Sequence, residues 1–263
     1  MTDLTNLPQG LAVVTGASSG IGEQFARRLA EEGRPLLLVA RRQERLDRLA
    51  ERLRAEHGVE ASVLAADLTE AGAVDAVITA AAATGHRLGL VVNNAGFGEE
   101  GPFHAAGRQR QLDMVRLNVE AVVALTHAAL AVLVPQGSGA VLNVASVVAF
   151  LPAPTSAVYA ASKAFVLSFT EAVHEEVRAL GVTVTAICPG ATHTEFFENA
   201  GSDMDSLPGF MFADPDVVAG DGLEAVARCE AVRVSGAVNK VSVGIMSALP
   251  RAALRRIAGL ATR

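Results

Sequence analysis

Residues 11–15 are apolar or small at every position, and Gly16, Gly20 and Gly22 follow them directly. A run with no polar alternation predicts a strand buried on both faces, as in a parallel sheet. After Gly22, Phe25, Leu29 and Ala30 recur at helical spacing. Strand, glycine turn and helix in that order open a βαβ unit, which commits the chain to a sheet covered by helices. The glycines let the backbone turn tightly and approach a phosphate. The helix start then offers N–H groups and a partial positive charge. An ordinary glycine turn is the plainer alternative. The strand before and the helix after favour the phosphate, with Ser18 and Ser19 as further donors.

The alternation continues. Strands are expected at 35–39, 62–66, 88–92, 139–145 and 182–187, with helices at 41–57, 70–83, 108–134 (one or two) and 156–180. Asp214 and Pro215 read as the cap and first position of a helix reaching residue 229. A short strand near 232–238 and a helix over 249–260 end the pattern. With no repeat, linker or break in composition, one doubly wound α/β domain is predicted over residues 1–263. Its cofactor-binding part spans about 8–190, a substrate lid about 191–230 and a C-terminal segment about 231–263. Being 51% hydrophobic excludes a disordered chain, and a net charge of −6 excludes a general electrostatic grip on nucleic acid. Two cysteines, Cys188 and Cys229, without a C-x-x-C pair, suit a reducing compartment and leave no disulfide framework or metal site. The first residues lack a secretory pattern, and no apolar run reaches the ~20 residues of a membrane span, so a soluble cytoplasmic protein is expected.

Open parallel sheets bind ligands outside the carboxyl ends of their strands. Where NAD-binding sheets carry an acidic residue for the ribose, this chain has Arg41 and Arg42, with no carboxylate until Glu44. Two planar guanidinium forks suit a 2′-phosphate and predict NADP(H). Cations are unfavourable at a helix start, so a solvated helix end explains them less well. Asp67 either accepts from the adenine amino group or caps the next helix. Asn93 and Asn94 either satisfy a turn, or Asn94 and Gly96 lie against the cofactor ribose.

Ser146 ends the run 140–145, and Tyr159 and Lys163 stand four apart at the start of a helical stretch, on one face. A free phenol, pKa ~10, is a poor base at neutral pH. A nearby ammonium favours the phenolate. Tyr159 is the only tyrosine, set among Ala157, Ala160, Ala161 and Ser162, which leave room for a cofactor. A half-buried aromatic is the plain alternative. Serine, phenol and ammonium together suit moving a proton onto or off an alcohol oxygen while a hydride moves at the adjacent carbon.

With Thr15 and the glycine loop, Asp67-Leu68, Asn93-Asn94-Ala95-Gly96, Asn118, Ser146, Tyr159, Lys163 and Pro189-Gly190 with Thr194, the chain resembles the short-chain dehydrogenase/reductase family over residues 11 to about 195. The resemblance implies a Rossmann-type sheet with helices on both faces. It implies NADP(H)-dependent interconversion of a secondary alcohol and a ketone or aldehyde. Ile21, Leu68 and Ala95 would touch the cofactor, and Lys163 would also hold its ribose hydroxyls. Asn118 would hold a water linking Lys163 to solvent. Pro189, Gly190, Thr192 and Thr194 would border the nicotinamide. The family pairs through stretches here at 118–134 and 156–180, implying a homodimer or homotetramer. Phe196, Phe197, Met204, Leu207, Phe210, Met211 and Phe212 stand where the family carries its lid. They suggest an apolar or bulky substrate, or else packing on the core or another subunit. A cofactor-binding regulatory or scaffold protein without turnover is the alternative, which the intact Asn118, Ser146, Tyr159 and Lys163 set opposes. His174, among Glu171, Glu175 and Glu176, reads as a solvated helix face. His193 borders the site, and Cys188 reads as a buried strand end. The basic, apolar tail over 240–263 either packs on its own or a neighbouring subunit, caps the site, or lies on a membrane surface.

Overall fold

Seven parallel strands form one sheet in the order β3-β2-β1-β4-β5-β6-β7: β1 Leu11–Thr15, β2 Leu36–Ala40, β3 Ala61–Ala65, β4 Leu88–Asn93, β5 Gly139–Val144, β6 Val182–Cys188 and β7 Val232–Val234. The computed structural model describes residues 4–195 and 212–261. Helices α1 Gly20–Glu31, α2 Gln43–His57, α3 Ala73–Ala83, α4 Arg108–Val115, α5 Ala121–Gln136, α6 Ala157–Val177 and α7 Pro215–Ala227 connect the strands. Successive strand residues feed opposite apolar layers. Val14 joins Phe25, Leu29, Leu46 and Leu223, whereas Val13 joins Leu37, Leu125, Leu133 and Val141. This two-sided burial is why the strands read as unbroken apolar runs. The strand order reverses between β1 and β4, and there a crevice opens at the carboxyl edge.

Between α4 and α5 the chain makes a π-helical turn, Arg116–Glu120, which directs Asn118 into the interior. The continuous rod from Arg108 to Gln136 is long and apolar enough to span a membrane, although no such run was expected. Leu125, Ala129 and Leu133 are buried against the sheet, the packing of a core helix. His174 also departs from expectation. It is 6% exposed, with Nδ1 2.9 Å from the Val184 carbonyl oxygen. It shares the buried face of α6 with Val166, Thr170 and Val177, while its acidic neighbours project elsewhere.

Asp214 caps α7 through the Asp216 amide, as the Asp-Pro pair predicts. Two further helices follow β7: α8 Ala237–Ala248 and α9 Arg251–Ala261. The sequence did not suggest α8, because it buries only Val243 and leaves Val238, Val241 and Ile245 exposed. The tail packs on its own chain through Leu254 and Ala258.

A buried polar chain crosses the sheet centre. The Asn93 amide donates to Thr126 Oγ1 at 3.0 Å and to Asn143 Oδ1 at 2.8 Å, and Asn143 donates to Thr170 Oγ1 at 2.9 Å. Asn143→Ala strands an Asn93 donor and a Thr170 acceptor in the core. It should destabilise the protein by about 2–3 kcal/mol in urea unfolding; a loss under about 0.5 kcal/mol would mean the chain is not coupled as described.

Candidate active site

The crevice is built on a set of short bonds between strand ends. Thr15 Oγ1 donates to the Val92 carbonyl at 3.1 Å and accepts from the Asn94 and Ala95 amides at 3.0 and 3.1 Å. The Asn94 side chain donates to the Thr15 carbonyl at 2.9 Å and the Gly16 carbonyl at 3.3 Å. Asn94 thus satisfies the turn, as one reading held, and it also lines the cleft. Gly16 and Gly20 have φ of +66° and +58°, a region L side chains avoid. A Cβ on Gly22 would overlap the Gly16 carbonyl oxygen and lie 2.5 Å from Asn94 Nδ2. Helix α1 can therefore start directly beneath the loop only with glycine there.

A cleft of about 1080 Å³ runs along the strand ends. Gly16, Ser18, Ser19, Gly20 and Ile21 line its floor, and Arg41, Arg42, Asp67 and Leu68 close one end. Asn94, Ala95 and Gly96 form the middle, with Ser146, Tyr159 and Lys163 at the other end. Pro189, Gly190, Thr192 and Thr194 line it too, the last with its methyl against Gly20. Gly22 and Asn118 stand just behind the wall.

Arg42 lies across the glycine loop. Its Nε and Nη2 donate to Ser18 Oγ at 3.2 and 3.0 Å, Nη2 donates to Ser19 Oγ at 2.8 Å, and Nη1 donates to Glu195 Oε2 at 2.8 Å. Here the two serines accept. Arg41 is 75% exposed, 3.8 Å from Asp67 Oδ2. Asp67 Oδ1 accepts from Thr69 N and Oγ1 at 3.0 and 2.7 Å, so the carboxylate caps a turn ahead of α3 while facing the cleft. Burial pushes this carboxyl up, but the Thr69 hydrogen bonds and Arg41 together hold it below its ordinary value.

At the other end, Ser146 caps the turn Val147–Phe150, accepting from the Val148 amide and donating to the Pro189 carbonyl, both at 3.3 Å. Lys163 is buried and donates to the Val144 carbonyl at 2.7 Å. Its Nζ lies 5.8 Å from the Tyr159 ring centre. Asn118 accepts from the Phe97 amide at 3.1 Å and donates to the Phe97 carbonyl at 2.9 Å and to Ser162 Oγ at 3.2 Å. Gly96 adjoins both Asn118 and Lys163: a Cβ there would lie 3.0 Å from Asn118 Oδ1 and 3.6 Å from Lys163 Nζ.

Burial pushes the Tyr159 phenol up to about 12, against a hydrogen bond with Ser146 that lowers it. Burial lowers Lys163 to about 8, and Cys188, itself raised to about 12 by burial, acts the other way. Burial thus raises the phenol where a lowering by Lys163 was expected, and the ammonium donates to the Val144 carbonyl. Desolvation dominates both groups.

His193 stacks on Phe212 at 4.6 Å. Phe196, Phe197, Met204, Leu207, Phe210 and Met211 lie outside the described residues. Glu99, Glu100, Gln109, Arg110 and Asp113 also line the cleft. Arg110 lies 3.4 Å from Glu99 and 5.1 Å from the Phe97 ring centre. In the sequence these residues look like a solvated helix start, and nothing in their spacing marks them. Glu195, beside the flagged Thr194, carried no signal either.

The model of the short chain dehydrogenase family matches residues 10–205. Sulfoacetaldehyde reductase 2 of Chromohalobacter salexigens is 39% identical over 188 residues, covering 71% of this chain and 74% of that protein. A short-chain dehydrogenase from Sphingobium yanoikuyae, solved with NADPH, superposes with a TM-score of 0.80 at 35% identity, covering 92% of this chain and 97% of that one. The bulky-bulky ketone specific alcohol dehydrogenase of Comamonas testosteroni superposes with a TM-score of 0.75 at 33% identity, covering 94% and 96%. The cleft and these likenesses agree, and the chain belongs to the short chain dehydrogenase family, NAD(P)-dependent oxidoreductases acting on CH–OH and carbonyl groups.

Proposed function

We propose that this chain is an NADP(H)-dependent oxidoreductase that interconverts a secondary alcohol and a ketone or aldehyde, on an apolar substrate. The observation carrying it is the convergence of Ser146, Tyr159 and Lys163 at one end of a cleft whose other end holds Ser18, Arg41 and Arg42. The glycine cradle supports a dinucleotide, since side chains at Gly16, Gly20 and Gly22 would be strained or would close the loop. The bound nicotinamide cofactor supplies or accepts the hydride.

Tyr159 is the acid/base on the substrate oxygen, and Ser146 hydrogen-bonds the same oxygen and steadies it. Lys163 contributes positive charge beneath the phenol and holds ribose hydroxyls. Asn118 completes a proton relay to solvent by way of a water beside Lys163. The phenol is protonated at neutral pH, the form that gives a proton in the reductive direction. Asp67, Leu68, Asn94, Ala95, Gly96, Pro189, Gly190, Thr192 and Thr194 would border the cofactor, held by the part over about 8–190.

Leu117, Val147, Val148 and Ala153 on the cleft wall support an apolar substrate, with Glu99 countered by Arg110. The Comamonas testosteroni relative, specific for bulky-bulky ketones, supports a ketone with large substituents. Phe165 on α6 is exposed within 156–180, one of the two stretches (with 118–134) through which a homodimer or homotetramer would pair. The unpaired thiols of Cys188 and Cys229 suit the cytoplasm.

Tyr159→Phe should lower kcat for carbonyl reduction by at least about 10²-fold while NADPH binding, read by fluorescence titration, stays nearly intact; surviving turnover would sink the mechanism. The paired change Arg41→Ala with Arg42→Ala should weaken NADPH by about tenfold or more and leave NADH far less affected; equal losses would remove the phosphate assignment. Burial lowers Lys163 to about 8, and its ammonium form is the one that would donate to the nicotinamide ribose hydroxyls. The kcat/KM for reduction should therefore be flat below pH about 8 and fall above it; a profile rising through that pH would contradict this role.

A further inference from the structure

We infer that Glu195 is a built-in competitor of the cofactor 2′-phosphate for Arg42, and that Arg45 receives its carboxylate when the phosphate takes that place. This deepens, and rests on, the NADP(H) reading above.

Glu195 follows β6 on one side of the cleft, whereas Arg42 and Arg45 open α2 on the other. Its carboxylate is split between them: Oε2 lies 2.8 Å from Arg42 Nη1 and Oε1 lies 2.5 Å from Arg45 Nη1. The two remaining donor nitrogens of Arg42, Nε and Nη2, are held by Ser18 and Ser19. Both arginines hold the Glu195 carboxyl below its ordinary value, so it stays charged at neutral pH. Every nitrogen of the Arg42 fork thus already has an acceptor. A 2′-phosphate that takes a planar pair including Nη1 meets the Glu195 carboxylate at that nitrogen, the charged acceptor among those Arg42 now holds.

The exchange is cheap. All three side chains are about 40% exposed, and exposed ion pairs contribute little. The incoming phosphate carries about −1.5 to −2 charges against one for the carboxylate, and it offers three acceptor oxygens. Glu195 keeps Arg45 when it releases Arg42, so neither its charge nor that of Arg45 is left alone. A cofactor ending in a ribose hydroxyl has no charge to exchange. Glu195 therefore weighs against NADP(H) alone, and it sets how strongly the phosphate-bearing cofactor is preferred.

The test is fluorescence titration of the full chain with NADPH and with NADH at fixed salt. Glu195→Gln should tighten NADPH by about threefold without tightening NADH. Unchanged or weaker NADPH binding would overturn the competition. Arg45→Ala should weaken NADPH in the native background, where Glu195 then keeps Arg42 but has lost its second arginine, and should have no effect in the Glu195→Gln background. An equal loss in both backgrounds would overturn the parking role and place Arg45 on the phosphate itself. Arg42→Ala separates this from the underlying reading: a selective loss of NADPH keeps the phosphate site, so a null result with Glu195→Gln then refutes the competition alone. Equal losses of NADPH and NADH would refute the phosphate site.

Discussion

The ends of β1 and β4 are tied together by Thr15 and Asn94, and the rest of the site depends on that tie. These are neighbouring strands at the point where the sheet reverses order, so their loops diverge and leave a crevice. Left alone, the diverging loops would expose the amides and carbonyls at Thr15, Gly16, Asn94 and Ala95. The Thr15 hydroxyl and the Asn94 side-chain amide satisfy them across the gap. Each such bond contributes about 0.5–1.5 kcal/mol, and a buried group left without one costs more. The same tie fixes the glycine loop at the height where helix α1 can point its first amides into the cleft.

A second anchor sits at the far end. The Lys163 ammonium is buried on the Val144 carbonyl, the last residue of β5, and Ser146 follows two residues later. Lysine, serine and strand end are therefore tied at one place, with Tyr159 one helical turn before the lysine. Burial makes both titrating groups less willing to carry charge. The phenol rises to about 12 and the ammonium falls to about 8. The site thus holds its proton on the phenol and keeps the lysine near the edge of its charged range.

Much of this was legible in the sequence, for identifiable reasons. β1, β2 and β4 up to Val92 could be read because two-sided burial leaves them almost wholly apolar. Tyr159 and Lys163 could be read because a spacing of four has one meaning on a helix. The features that escaped lack such a signal. The Val144 carbonyl belongs to the backbone, which sequence does not mark. His174 was misplaced because its acidic neighbours suggested solvent, whereas its own angular position on α6 faces β6. Helix α8 was missed because a helix with its apolar stripe in solvent does not show the pattern of a packed one. Glu195 acts through a partner 150 residues away, which no local pattern records.

A cleft that serves direct hydride transfer would seat a nicotinamide beside a carbonyl carbon at Ser146, Tyr159 and Lys163. Reduction of a panel of ketones with NADPH deuterated at C4, followed by mass spectrometry of the alcohol, tests it. Direct transfer predicts one carbon-bound deuterium at the carbinol position when the transferred face is labelled, and none when the opposite face is. Alcohol formed without label from either face would contradict the account.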